Sequence, residues 1–210
     1  MSSSRGRPDG LTRDDGTRAV ELARDSVRAY VENGRREEPG SMRDAFYDRS
    51  GAFVRLETAG HRGQLRGCAG SADSPSVLES PSRRLGLAII DAAIEAASGD
   101  SRDPVTPPEL DSIGVTVFVA ERVEETIEPA EDVEVGAHAV AIEGDDRAGW
   151  MFPTVPVDNG WDVYEYLDRT SRKAGFADGA WTDDDVRVLT MEGPVFAENE
   201  PGGSVMRRFE

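Results

Sequence analysis

From residue 17 onward, apolar positions return in steps of three and four. Val20, Ala23, Val27, Tyr30 and Val31 share one helical face, which predicts a helix over residues 17–33 that Gly34 is placed to end. After the polar loop "RREEPGS", the run "AFVRLET" reads as a strand around Phe53. "AGHRG" is its turn and "QLRGCAG" the returning strand. Ser80 and Pro81 then open a second helix, since serine caps well and proline suits the first helical position. Leu85, Ala88, Ile89, Ala92, Ala93 and Ala96 form its buried stripe, and Gly99 closes it.

"SRDPVTPPEL" is a Pro-rich connection. In "SIGVTVFVAER" strict alternation puts Ile113, Val115, Val117 and Val119 on one strand face. "EVGAHAVAIEG" places His138, Val140 and Ile142 on one face of the next strand. "GWMFPTV" is a further short strand. "NGWDVYEYLDRTSRKAGF" is a helix capped near Asp158 or Asn159 and closed at Gly175, and "DDVRVLTMEGPVFAE" carries one or two closing strands. The order is helix, hairpin, helix, three strands, helix, strands. It lacks the strict strand–helix alternation of a parallel sheet. The half-buried strands predict an α+β fold, a mainly antiparallel sheet flanked by helices. Residues 1–16 are small, polar and Gly-rich and read as a disordered tail; residues 17–210 read as a single domain.

Charge changes the picture most. Forty-one acidic residues against 24 basic ones give a formal net charge of -17, and Lys173 is the one lysine. Carboxylates hold water and cations, and such self-repulsion is tolerable only where salt screens it. The acids are spread along the whole chain, so the composition predicts a halophile with molar salt in its cytoplasm rather than an acidic site for a basic partner. It argues against an electrostatic grip on nucleic acid, which needs a basic stripe. "MSSSRGRPDG" has no apolar stretch for a signal peptide, and the run "LGLAIIDAAIEAA" is short and interrupted by Asp91 and Glu95, so no membrane span is expected. A cytoplasmic location follows.

The chain offers few metal or catalytic patterns. One cysteine permits no internal disulfide, and with only His61 and His138 beside it no zinc site is expected. Phosphate-loop, dinucleotide and nucleophile-elbow patterns are missing, and no cofactor is implied. What remains is "LRGCAG". Cys68 is the only cysteine, a thiolate is a strong nucleophile, and a neighbouring cation favours it. On an extended segment Arg66 would project to the same side as Cys68. Gly67 and Gly70 would leave the thiol uncrowded and offer backbone N–H groups to an oxyanion. His138 is the candidate base if the fold brings it near. The opposing reading is a small buried cysteine and a hydrogen-bonded core histidine.

These residues resemble the AMMECR domain family. "LRGCAG" is similar to its Leu-Arg-Gly-Cys-Ile-Gly signature, with "GAFVRLE" before it and "SRDPVTPPEL", "VGAHAVAIE", "GWMFPTVPVDNGWDVYEYLDRTSRKAGF" and "AWTDDDVRVLTMEGPVF" after it in the family's order, over about residues 18–200. The chain looks like a halophilic archaeal member. The resemblance implies a larger and a smaller subdomain meeting at a cleft. It carries Leu65, Arg66, Gly67 and Gly70 over as binding positions, and Cys68 and His138 as catalytic candidates. Ala69 stands where the family has isoleucine, and Ala139 where it has glycine. The family has no established activity; its bacterial relatives occur beside a radical-SAM protein, which implies partners in that pathway. Two readings follow: an enzyme or catalytic subunit using the motif in the cleft, or a non-enzymatic module binding a small molecule or protein on the same surface.

Overall fold

The structure is a computed structural model that describes residues 10–40, 44–47, 51–60, 63–70 and 84–208. Helix α1 spans Arg13–Asn33, four residues longer at its start than the periodicity predicts. The reason is a capping box. Thr12 Oγ1 accepts from the N–H of Asp15 at 3.2 Å, and Asp15 Oδ2 accepts from the N–H of Thr12 at 3.0 Å. Gly16, which reads as a sign of disorder, sits in the first turn because the ring of Phe196 lies where a Cβ would be, 2.1 Å away. Residues 13–16 therefore belong to the helix; residues 1–9 of the expected disordered tail lie outside the described residues.

Strands β1 (Gly51–Thr58) and β2 (Leu65–Gly70) form the expected hairpin. Helix α2 (Leu85–Ser98) follows, with Arg84 at its N-cap; the predicted cap at Ser80 and Pro81 lies outside the described residues. Then come β3 (Ile113–Ala120), β4 (Arg122–Glu125), the short α3 (Pro129–Asp132), β5 (Ala139–Gly144) and β6 (Arg147–Met151). A short helix that the sequence does not predict precedes the third predicted one and takes in Thr154 and Val155 of the expected strand "GWMFPTV". Helix α4 (Thr154–Asn159) ends at Gly160 with φ of 69°, and α5 (Val163–Lys173) is capped by Asp162 rather than by Asp158 or Asn159. Pro156 does not prevent α4, because proline is tolerated in a first turn whose N–H groups lack helical partners. Strands β7 (Arg187–Glu192), β8 (Val195–Glu198) and β9 (Val205–Arg208) complete the chain.

The strands form two antiparallel sheets, ordered β2-β1-β3-β8-β9 and β4-β7-β5-β6. Their side-chain alternation builds four layers. From the first sheet, Ala52, Val54 and Leu56 join the full predicted set Ile113, Val115, Val117 and Val119 in a core under α1 and α2. Phe53 and Phe118 face the other way and meet Ala141, Leu189 and Met191 of the second sheet and Phe152 just after β6. Val140, Ile142 and Val188 on the outer face of that sheet pack beneath α5 with Tyr166 and Leu167. The long helices α1, α2 and α5 thus cover the outer faces, the two sheets cover each other's inner faces, and α4 sits at the margin between them.

The sheets share a continuous ribbon. Only Glu121 separates β3 from β4, and Gly193 and Pro194 separate β7 from β8. The two crossings are bonded to each other, with the N–H of Glu121 donating to Glu192 O at 2.9 Å and the N–H of Val119 to Pro194 O at 3.1 Å. The opposite side of the interface, where β2 and β1 meet β6, α4 and α5, is the seam that holds Cys68.

Candidate functional site

Cys68 lies on β2, an edge strand, directly opposite Arg55 of β1. The pleat turns Gly67 and Ala69 toward α2 and leaves Cys68 on the face toward the second sheet. There its Sγ is 3.6 Å from Nζ of Lys173, at the end of α5. The ammonium is also 4.5 Å from the centre of the Trp150 ring, whose electron-rich face attracts cations. The one cysteine and the one lysine of the chain, 105 positions apart, are therefore in contact. Cys68 is half-buried and Lys173 exposed, so the pair is open to solvent.

Arg66 is not on the same side as the thiol. A bulge interrupts the pairing: Gly67 faces Leu56 but Leu65 faces Glu57, and Arg66 is the extra residue between them. This breaks the alternation that the sequence suggests. The Arg66 guanidinium instead donates from Nε to Glu109 Oε1 at 2.6 Å and reaches the carbonyl of Asp103 at 3.4 Å. Gly67 serves close packing rather than access, since a Cβ there would lie 1.9 Å from the carbonyl oxygen of Ala96. Gly70 packs on the ring of Phe53. The N–H of Cys68 points off the sheet edge to Asp100 Oδ2 at 3.1 Å. Burial raises the Asp100 carboxyl, but the hydrogen bonds from Cys68 N–H and from Arg102 outweigh it and leave it below its ordinary value. Leu65 sits half-buried at the start of the strand.

His138 stands just before β5, so Val140 and Ile142 share the strand face without it. Its Nδ1 accepts from the N–H of Glu134 at 3.1 Å, and its Nε2 is 3.4 Å from Glu192 Oε1. Glu192 also pairs with Arg122, and that hydrogen bond, ahead of the opposing effect of burial, lowers its carboxyl. Tyr166 anchors the same corner from α5. Its hydroxyl is 3.1 Å from the carbonyls of His138 and Met151 and accepts from the N–H of Val140 at 3.1 Å. Full burial pushes this phenol well above its usual range. Among the described residues no hydrogen bond or ion pair joins His138 to Cys68.

Three further side chains complete the seam. Arg55 sends Nη1 across to Thr154 Oγ1 at 3.5 Å and Nη2 to Glu57 Oε1 at 2.5 Å. The indole of Trp150 packs edge-on against Phe53, with ring centres 4.4 Å apart. Sequence reasoning passed over Arg55, Thr154 and Lys173. The available signals were one charge inside the apolar run "AFVRL" and one lysine among 24 basic residues. An open basin of about 550 Å³ lies elsewhere, lined by Asp145, Arg147, Phe176 and residues 182–186.

Fold and site together define an α+β protein of two packed antiparallel sheets between helices, with a thiol and an amine at the seam. The sequence model of the AMMECR1 family matches residues 20–196, and the chain belongs to that family. A protein of Halobacterium salinarum is 56% identical over 189 residues, 90% of each chain. One of Methanopyrus kandleri is 33% identical over 205 residues, covering 94% of this chain and 95% of its own. The crystal structure of an uncharacterized protein from Pyrococcus horikoshii superposes with a TM-score of 0.81 at 32% identity, covering 91% of this chain and 95% of that one. Among the described residues no helix is long and apolar enough to cross a membrane.

Proposed function

We propose that the seam between the two sheets is the working site, and that the protein is an enzyme or catalytic subunit whose Cys68 thiolate attacks an electrophilic carbon of a bound small molecule. The observation that carries this reading is the 3.6 Å contact between Lys173 Nζ and Cys68 Sγ. The ammonium at that distance offers the sulfur an ion-pair partner, and the pair is solvent-accessible. Lys173 takes the role that the motif suggests for Arg66, and Arg66 becomes a positioning residue that ties the β2 bulge to Glu109. His138 supports the β5–β7 corner through Glu134 and Glu192. In this reading the chain works in molar salt in a cytoplasm.

Iodoacetamide labelling tests it. Cys68 in the folded chain is expected to react faster at neutral pH than in the urea-unfolded chain at the same salt. Lys173→Gln removes that advantage, and His138→Gln leaves it unchanged. Labelling that waits for unfolding, or runs no faster in the folded state, would sink the proposal.

A binding module without chemistry is the second reading. It is favoured by the motif backbone, which is taken up by Ala96, Phe53 and Asp100 and so offers little to an oxyanion. Under it Cys68→Ser retains whatever ligand the seam holds; under the first reading that variant loses turnover.

A further inference from the structure

Lys173 keeps unusual company for a cation in this chain. There are 41 acidic residues, yet among the described residues none forms an ion pair with Lys173. Its ammonium lies instead 3.6 Å from Cys68 Sγ and 4.5 Å from the centre of the Trp150 ring. The residue type matters as well. Arginine supplies the other strong cations of the chain and would carry charge to the sulfur equally well. Only lysine has an amine that can release a proton and act as a nucleophile.

The surroundings of the sulfur narrow its chemistry. An oxidised cysteine commonly ends in a disulfide, but the chain has no second thiol. Backbone nitrogen is the other usual trap for a sulfenic acid, and that of Ala69 is held in the strand pairing with Val54. The half-buried Cys68 and the exposed Lys173 are open to a small oxidant. The pair also joins separate parts of the molecule. Cys68 is on β2 of the first sheet, and Lys173 ends α5, the helix over the second.

We propose that Cys68 and Lys173 form a reversible covalent cross-link when the protein meets a peroxide. The Cys68 thiolate attacks one oxygen of hydrogen peroxide. An S–O bond forms, the O–O bond breaks, and the departing hydroxide takes up a proton to leave as water. Sulfur is oxidised to the sulfenic acid and the peroxide is reduced. With the sulfur now uncharged, Lys173 Nζ gives one proton to solvent and attacks it. An S–N bond forms, the S–O bond breaks, and the hydroxyl leaves as water with a second proton from the nitrogen. A thiol reductant reverses the step. Its thiolate attacks the sulfur, the S–N bond breaks, the amine recovers its proton, and a second thiol frees Cys68 from the mixed disulfide. While it stands, the S–N bond keeps the sulfur from irreversible oxidation to sulfinic acid. The proposal shares the Cys68–Lys173 contact with the proposed function but requires no substrate and no turnover.

The test treats the folded chain in molar potassium chloride with hydrogen peroxide and analyses the digested protein by mass spectrometry. The expected product is the Cys68 and Lys173 peptides joined, at the sum of their masses less two hydrogens, and separated again by dithiothreitol. It is lost in the urea-unfolded chain, where nothing holds together two groups 105 positions apart. Lys173→Arg keeps the charge beside Trp150 without the amine. In that variant Cys68 is expected to run on to sulfinic acid under conditions that leave the unsubstituted chain cross-linked. The cross-linked chain also unfolds at higher denaturant than the reduced one, as closing a long loop requires, and Lys173→Arg loses that shift.

Sulfinic acid at Cys68 of the folded chain with no joined peptide would overturn the cross-link and leave the proposed function standing. A joined peptide that retains an oxygen atom would overturn the S–N step. Equal yields of sulfinic acid with and without Lys173 would overturn capture by the amine. A folded chain inert to both peroxide and iodoacetamide would overturn the cross-link and the proposed function together.

Discussion

Arg66 and Glu109 shift one another's titration in opposite directions across the 2.6 Å contact that closes the β2 bulge. The hydrogen bond to Glu109, against the opposing effect of burial, raises the Arg66 guanidinium above its ordinary value. Hydrogen bonds from Arg66, and then from the hydroxyl and N–H of Thr106, hold the Glu109 carboxyl down to about 2 from 4.5. A depressed carboxylate stabilises the fold above its unfolded value, and that contribution disappears as pH falls through the folded value.

The first prediction follows. At neutral pH the chain is more stable than its Glu109→Gln variant by about 1–2 kcal/mol, the size of a charge-assisted hydrogen bond in a partly exposed pair. The difference narrows from pH 4.5 downward and is gone near pH 2. Urea unfolding of both proteins across that window measures it. Only the difference counts, because protonating the other acids relieves repulsion equally in both. A constant gap down to pH 2 would mean that Glu109 is not held by Arg66.

Gly67 and Gly114 give a matched pair of tests in the two strands that flank β1. A Cβ at Gly67 would sit 1.9 Å from the Ala96 carbonyl oxygen, whereas one at Gly114 meets nothing nearer than Glu57 O at 4.0 Å. Gly67→Ala must push α2 away from β2 and is expected to destabilise by about 2–3 kcal/mol. Gly114→Ala stays within about 0.5 kcal/mol. Denaturant midpoints decide between them; equal effects would show that α2 yields freely and that the glycine in the motif is not there for packing.

Salt gives the broadest prediction. With a formal charge of -17 and one lysine, the chain repels itself in dilute buffer. Its melting temperature is expected to climb steadily with potassium chloride beyond the range where screening alone saturates, since excluded salt also strengthens apolar burial. A melting temperature that stayed flat between about 0.2 and about 3 M would return the acidity to the question of a basic partner.

Most strands were legible because each has a different layer on either side. Ile113, Val115, Val117 and Val119 alternate in sequence and all lie in one core. The second sheet as a covering layer was not legible, because its facing residues Ala139 and Ala141 are too small to stand out in "AHAVAIE". Strand β9 escaped notice because it buries only Val205. At the site, Cys68 was visible as a unique residue, but its partner was not. A bulge is one residue of irregularity with no signature in "QLRGCAG", so alternation assigned Arg66 to the wrong side. Lys173 approaches from 105 positions away, a distance no local pattern spans.

The ribbon through Glu121 and the Gly193–Pro194 crossing constrains the mechanics of the whole molecule. Two strands pass from sheet to sheet with one and two intervening residues and are bonded to each other where they cross. The sheets therefore cannot slide past one another or separate as beads on a string. The freedom left to them is a page-like rotation about this spine. Its leverage is smallest at Glu121 and largest at the far margin, where Cys68 and Arg55 on one leaf touch Lys173 and Thr154 on the other.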